Sequence, residues 1–222
     1  MKIAILVDGG FYRRVASYKY GEKTPEERAK ELNTYCLAHL NKKPSKSNNE
    51  ESYRIFYYDC PPIEKQVFNP ITKTSVSLKN SPSYIWTNDF FNYLKKQRKV
   101  ALRLGVLSEE WSSYTLNKDA IKKLLNKKIT VDDLTEKDLV LELKQKGVDM
   151  KIGIDIASLA YKKQVDKIIL ISGDSDFVPA AKLARREGID FVLDAMGQNI
   201  KEDLSEHIDG LESSAYKPKL KK

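Results

Sequence analysis

Two apolar runs in this chain stop at carboxylates, which is a pattern that can hold a metal ion. The first is IAILVDGG, Ile3 to Gly10, and the second is IILISGDSDF, Ile168 to Phe177. If both runs are parallel strands, Asp8, Asp174 and Asp176 stand at the carboxyl ends of the strands, where open α/β sheets bind their ligands. Carboxylates crowded to about 4 Å repel by roughly 4 kcal/mol per pair at an effective dielectric of about 20. A hard cation such as Mg²⁺ or Mn²⁺ relieves that repulsion. Each residue also has a plainer reading. Asp8 and Asp174 could cap the helices that follow, and Asp176 could favour a positive helix end.

Asp155 adds a third origin for the same site. It falls on the apolar stripe formed by Ile152, Ile156 and Leu159 of one helical stretch. A carboxylate on a core-facing stripe is costly unless it is paired or binds metal. Asp155 is therefore read as a ligand, with a buried ion pair to a Lys or Arg as the alternative. Asp149, at the start of that stretch, is either its N-cap or a further ligand.

The elements that must position these residues are legible from periodicity. Lys2–Val7 and Tyr53–Asp59 read as strands, with a helix over Pro25–Leu40 between them. The spacing predicts a helix over Trp86–Arg98 and a strand over Val100–Leu107. Asp119–Lys146 reads as charged helix in two pieces. Then come helix Asp149–Lys163, strand Lys167–Ser172, helix Ser175–Glu187, strand Ile189–Asp194 and a helix from Lys201 to His207. This rhythm predicts a three-layer α/β fold, a Rossmann-like parallel sheet flanked by helices. Cys60–Ser83 carries Pro61, Pro62, Pro70 and Pro82 without a period and reads as a long connection. We expect a single domain over residues 1–212 with a lid-like insertion over about 60–100, and a basic tail over 213–222.

The 222 residues are 41% hydrophobic, enough for a sizeable core, and carry a formal net charge of +8. A basic chain with an acidic cluster suits a polyanionic partner acted on by a metal, although lysine-rich helices are also simply soluble. The two cysteines, Cys36 and Cys60, exclude a disulfide framework and read as reduced core thiols. The chain opens directly on a strand pattern, with no signal peptide and no apolar run approaching a membrane span, so a cytoplasmic location is expected and no membrane partner.

The segment Lys146–Ile189, together with Ile5–Phe11 (ILVDGGF), resembles the NYN family, the LabA-like branch of the PIN-like nucleases. The resemblance covers the first strand and roughly Arg103 to Gly210. It implies a Rossmann-like (PIN-like) sheet whose strand-end carboxylates bind Mg²⁺ or Mn²⁺ and hydrolyse RNA. Carried over by residue, it implies catalytic roles for Asp8, Asp155, Asp174 and Asp176, with Asp149 as an additional metal ligand. PIN-like enzymes often carry Asn shortly after the first Asp, and here Gly10 and Phe11 occupy that region.

Substrate contacts are expected from Arg13, Arg14, Lys151 and Ser172, with Arg103, Lys182, Arg185 and Arg186 as further phosphate candidates. Trp86, Tyr84, Tyr57 and Tyr58 are candidates for stacking on bases. His39 and His207 are isolated and read as structural. The partner expected is RNA, and the Cys60–Ser83 segment could select it or mediate a homodimer. One rival is a catalytically silent RNA-binding protein. The other is a haloacid-dehalogenase-like phosphatase, which needs a second Asp where this chain has Gly10.

Overall fold

The computed structural model describes all residues except 41–49, 108–112, 144, 215 and 217–222. The strands and helices run in the order β1 (Lys2–Asp8), α1 (Gly9–Tyr20), α2 (Pro25–Leu37), β2 (Glu51–Asp59), β3 (Gln66–Asn69), β4 (Thr74–Ser77), α3 (Pro82–Lys95) and β5 (Val100–Leu104). They continue with β6 (Val106–Leu107), β7 (Ser113–Leu116), α4 (Lys118–Leu125), β8 (Leu139–Glu142), β9 (Gln145–Lys146) and α5 (Val148–Tyr161). The chain closes with β10 (Lys167–Ile171), α6 (Val178–Arg186), β11 (Asp190–Asp194), α7 (Glu202–Glu206) and β12 (Gly210–Leu211). Among the described residues, no helix is long and apolar enough to cross a membrane.

Six parallel strands form one sheet in the order β12-β11-β10-β1-β2-β5. The continuous apolar runs of β1 and β10 suit central positions, because a parallel strand is covered on both faces. Ile3 to Val7 are each at most 1% exposed. The chain moves outward from β1 through β2 to β5, then returns past β1 to β10, β11 and β12. Right-handed crossovers in the two directions place their helices on opposite faces. Tyr57 of β2 accordingly meets Phe90 and Phe91 of α3, at ring separations of 5.6 and 6.3 Å. Its neighbour Tyr58 faces the other way and meets α5. The result is the three-layer Rossmann-like arrangement expected. Its topological switch lies between β1 and β10, the two strands that end at the candidate aspartates.

Local chemistry fixes the helix starts. Thr24 and Glu27 form a reciprocal capping box at α2, with Pro25 in its first turn. Asp8 caps α1 by accepting from the Phe11 amide at 3.0 Å. The close approach of α1 to β2 requires glycine at position 9, since a Cβ there would stand 2.6 Å from the Tyr57 ring and from the Tyr58 carbonyl.

The chain divides into two compact units. The first, Met1–Asp59, Asp89–Gly105 and Gly147–Lys222, holds the parallel sheet. The second, Cys60–Asn88 and Val106–Lys146, is built from small antiparallel pairs, β3 with β4 and β7 with β8, and from α4. The second unit is thus drawn from two stretches of the chain, and residues 89–105 go with the sheet.

Several element readings change, each for a physical reason. Cys60–Ser83 contains a hairpin: Asn69 Oδ1 accepts from the Ile71 and Thr72 amides at 3.0 and 3.3 Å and turns the chain at Pro70. The charged stretch after Asp119 is α-helical only to Leu125, followed by single 3-10 turns at Val131–Asp133 and Glu136–Asp138. There Thr130 is bound by Asp133 and Thr135 by Asp138, each through both amide and hydroxyl at 2.8–3.0 Å. Such local side-chain bonds compete with helix. The strand read as Val100–Leu107 breaks at Gly105, whose amide turns to the Asp59 carbonyl at 2.8 Å. The segment read as the start of a basic tail is packed at Ser214, which donates to Asp194 and Tyr35, and at Tyr216, whose ring meets Tyr20 and Tyr35. Residues 217–222 lie outside the described residues.

Candidate metal centre

Asp8 ends β1 on the rim of the sheet, and one hydrogen-bond chain joins it to the acidic loop after β10. Ser172, fully buried, donates to Asp8 Oδ2 at 3.2 Å. Its oxygen accepts from the Asp174 amide at 3.3 Å, and Asp174 Oδ1 accepts from the Asp176 amide at 3.0 Å. Ser172 thus acts here as an orienting group between two aspartate clusters distant in sequence. Asp174 also caps the short helical turn Ser175–Phe177, so capping and clustering coincide. The α-helix proper starts at Val178, with Pro179 in its first turn.

The electrostatics tie a third segment into the group. Burial pushes the Asp8 carboxyl above its ordinary value, against the lowering effect of its bonds from Phe11 and Ser172, and the charges of Asp149 and Asp59 raise it further. Asp149 is likewise raised, first by burial and then by Asp174 and Asp176. Asp149 therefore links the two sides of the switch between β1 and β10, raising Asp8 and being raised by Asp174 and Asp176. Asp149 is exposed in the first turn of α5, whose left-handed Gly147 provides no side-chain cap.

Asp155 takes different partners. Tyr58 donates to its Oδ2 at 2.7 Å and Arg103 Nε at 3.0 Å, and the Arg103 guanidinium also lies over the Phe56 ring at 5.2 Å. Six residues along α5 from Asp149 is a rise of about 9 Å. That rise separates the two carboxylates, and Asp155 is held in the ion pair that was the alternative reading.

The other candidates divide by exposure and pairing. Arg14 and Lys151 are exposed, and Arg13 is bound to Asp59. Arg185 is held by Asp209 at 2.8 Å. Tyr57 and Tyr58 are both 0% exposed, because β2 is covered on both faces, so neither presents a ring for stacking. His39 is buried against Asp194, and Cys36 and Cys60 are buried.

Two rim residues were missed. Asp59 ends β2 just as Asp8 ends β1, and that shared pattern of an apolar run stopping at Asp was the available signal. Lys201 donates to Ser175 Oγ at 3.1 Å, placing a cation beside the acidic loop, which no local sequence pattern announces.

As donors the rim carboxylates suit a hard divalent cation, since all are oxygen ligands. They are spaced more widely than a closed ligand set, as repelling carboxylates are. Among the described residues, three ligand-type side chains bring their donor atoms within 4.8 Å of one another only at Asp203, Glu206 and His207. That trio sits largely in solvent on a five-residue helix, and its His207–Asp203 contact is a 3.5 Å surface pair.

The sequence matches no curated protein at a significant level. A crystal structure of a protein of unknown function from Vibrio parahaemolyticus RIMD 2210633 is similar over 95% of this chain and 90% of that chain, at 17% identity and a TM-score of 0.49. The NYN domain model matches residues 71–211, more than half of the 222-residue chain. The match begins earlier than the motifs suggested, and it takes in Asp149, Asp155, Asp174 and Asp176 while leaving β1 and Asp8 outside. The chain belongs to the NYN domain family, part of the PIN-like nuclease superfamily.

Proposed function

We propose that this protein is a divalent-metal-dependent ribonuclease that hydrolyses RNA phosphodiester bonds at the rim between β1 and β10. The observation that carries the reading is the crowding of carboxylates at the topological switch, where burial and then the charges of Asp149 and Asp59 raise Asp8, and burial and then the charges of Asp174 and Asp176 raise Asp149. Asp8, Asp149, Asp174 and Asp176 would hold Mg²⁺ or Mn²⁺, which supplies water activation and neutralisation of phosphate charge. Asp155 enters the proposal as a positioning residue on α5 rather than as a ligand, on the strength of its bonds to Tyr58 and Arg103.

The chain's own residues do the rest. Ser172 fixes the orientation of the Asp8 carboxylate and leaves each oxygen a further lone pair. The Asp174 and Asp176 carboxylates are exposed and accessible to a strand approaching from solvent. Lys201 beside Ser175 offers a positive charge to that strand, and the net charge of +8 favours its approach.

The test is cleavage of single-stranded and structured RNA by wild type and by Asp174→Asn, with Mn²⁺, Mg²⁺ or EDTA. Wild type should cleave with either metal and lose activity in EDTA, and Asp174→Asn should fall by about a hundredfold or more. Equal rates for the two proteins would defeat the enzyme reading. Retained RNA binding without cleavage would then favour the silent binding protein.

A further inference from the structure

The rim carries a charged group that the metal set does not use. Asp59, on the strand next to β1, has a side chain only 1% exposed. Arg13 Nη2 lies 2.9 Å from its Oδ2 and 3.1 Å from its Oδ1, and the Tyr57 hydroxyl donates to Oδ2 at 3.0 Å. Tyr57 is itself fully buried, so the carboxylate is fixed from below. Asp8 pairs in register with Tyr58, which puts Asp59 one residue beyond that row and one strand spacing, about 4.8 Å, to the side.

Arg13 reaches this point by helix geometry. It follows Asp8 by five residues on α1, about 7.5 Å down the axis. Helical side chains lean back toward the N-terminus, which returns the guanidinium to the strand ends. There its side chain is 27% exposed, while its Nε is buried with no hydrogen-bond partner among the described residues. A part-exposed guanidinium anchored by a buried carboxylate is a planar fork that grips phosphate in a way a flexible lysine does not. The surrounding carboxylates would otherwise repel a polyanion.

We propose that Arg13 binds a phosphodiester of the polynucleotide strand beside the acidic group, with Asp59 and Tyr57 as the positioning residues that hold it in place. This rests on the nuclease reading above, which assigns the carboxylates to the metal and leaves the anchoring of the strand to the protein. The phosphate bound is one of a single-stranded RNA, and Arg13 contributes one contact.

Two measurements test it on the full chain. Binding of fluorescein-labelled single-stranded RNA is followed against salt in an Asp174→Asn background, and cleavage is followed in the otherwise wild-type protein. Arg13→Gln should lower the slope of log K against log salt by about 0.7, the value of one phosphate contact on a single strand. It should also lower kcat/KM by about tenfold or more. Arg13→Lys should recover the salt slope but not the rate. Asp59→Asn should keep the slope and lose rate at temperatures where the protein is folded, because the charge remains but is no longer held. An unchanged slope and unchanged kcat/KM in Arg13→Gln would overturn the inference, reducing the pair to a structural one whatever the melting temperature. If wild type fails to cleave yet the slope still falls, the nuclease reading fails and the phosphate site stands. A wild type that binds no RNA overturns both.

Discussion

Two aspartates of this sheet share one position and differ in everything around it. Asp8 ends β1 and Asp194 ends β11, each closing a buried apolar strand. Asp194 is fully enclosed and satisfied. Its Oδ2 accepts from the Tyr35 hydroxyl at 2.6 Å, from His39 Nε2 at 2.8 Å and from the Ser214 amide at 3.2 Å, and its Oδ1 accepts from the Met196 amide at 2.7 Å. The Asp194 charge helps burial push the Tyr35 hydroxyl well up, which keeps that hydroxyl a donor. Asp8 has two donors and feels the like charges of Asp149 and Asp59. A strand-end aspartate on which donors converge is thus structural, and the one that faces like charges is the one proposed above to hold metal.

The sharpest way to break this contrast is to remove each carboxylate in turn. Asp194→Ala would strand the Tyr35 hydroxyl and His39 in the core, and breaking a buried charged network costs about 3 kcal/mol or more. In a chain of this size that is a fall in melting temperature of roughly 6–12 °C, read by thermal unfolding without metal. A fall under about 2 °C would mean that the Asp194 cluster is not the latch joining α2, β11 and the segment at Ser214.

Asp8→Asn should do the opposite. Asn still caps α1 and removes one of the repelling charges, so the metal-free protein should melt a few degrees higher at neutral pH. The pH dependence follows from the raised carboxyls of Asp8 and Asp149. A raised carboxyl favours the folded state while protonated. That contribution is present below the ordinary carboxylate value and is lost as pH rises through the raised one. Metal binding has the reverse dependence, because it needs the ionised form. Stabilisation by Mn²⁺ should therefore appear as pH rises through that same window and be absent in Asp8→Asn. Equal Mn²⁺ stabilisation in both proteins, read by thermal shift across acidic to neutral pH, would remove Asp8 from the site.

The sheet and much of the rim were legible because buried parallel strands write themselves as continuous apolar runs. β1, β10 and β11 were found within a residue or two, and with them the placement of Asp8, Asp174 and Asp176 at or just beyond the strand ends. The second unit was not legible. Its strands are two to four residues long, and its turns depend on single side chains such as Asn69, Asp133 and Asp138. Asp155 shows a different limit. Helical periodicity placed it on a buried stripe, correctly, but periodicity does not say what stands opposite. Arg103 and Tyr58 arrive from strands distant in sequence, and only the register of β2 with β5 brings them together.

Asp155 also gives the finest test of which carboxylates belong to the metal. Its side chain is 23% exposed and that of Arg103 41%, so their ion pair is partly screened and worth about 1 kcal/mol or less. Asp155→Asn keeps an acceptor for Tyr58 and should lower the melting temperature by only about 1–3 °C. Because Asp155 is engaged by Tyr58 and Arg103, the variant should retain the full thermal stabilisation by Mn²⁺. Asp149→Asn, six residues earlier on the same helix, should lose it. If the two variants change places in that experiment, the ion pair with Arg103 gives way when a cation binds, and Asp155 turns toward the rim as the apolar stripe first suggested.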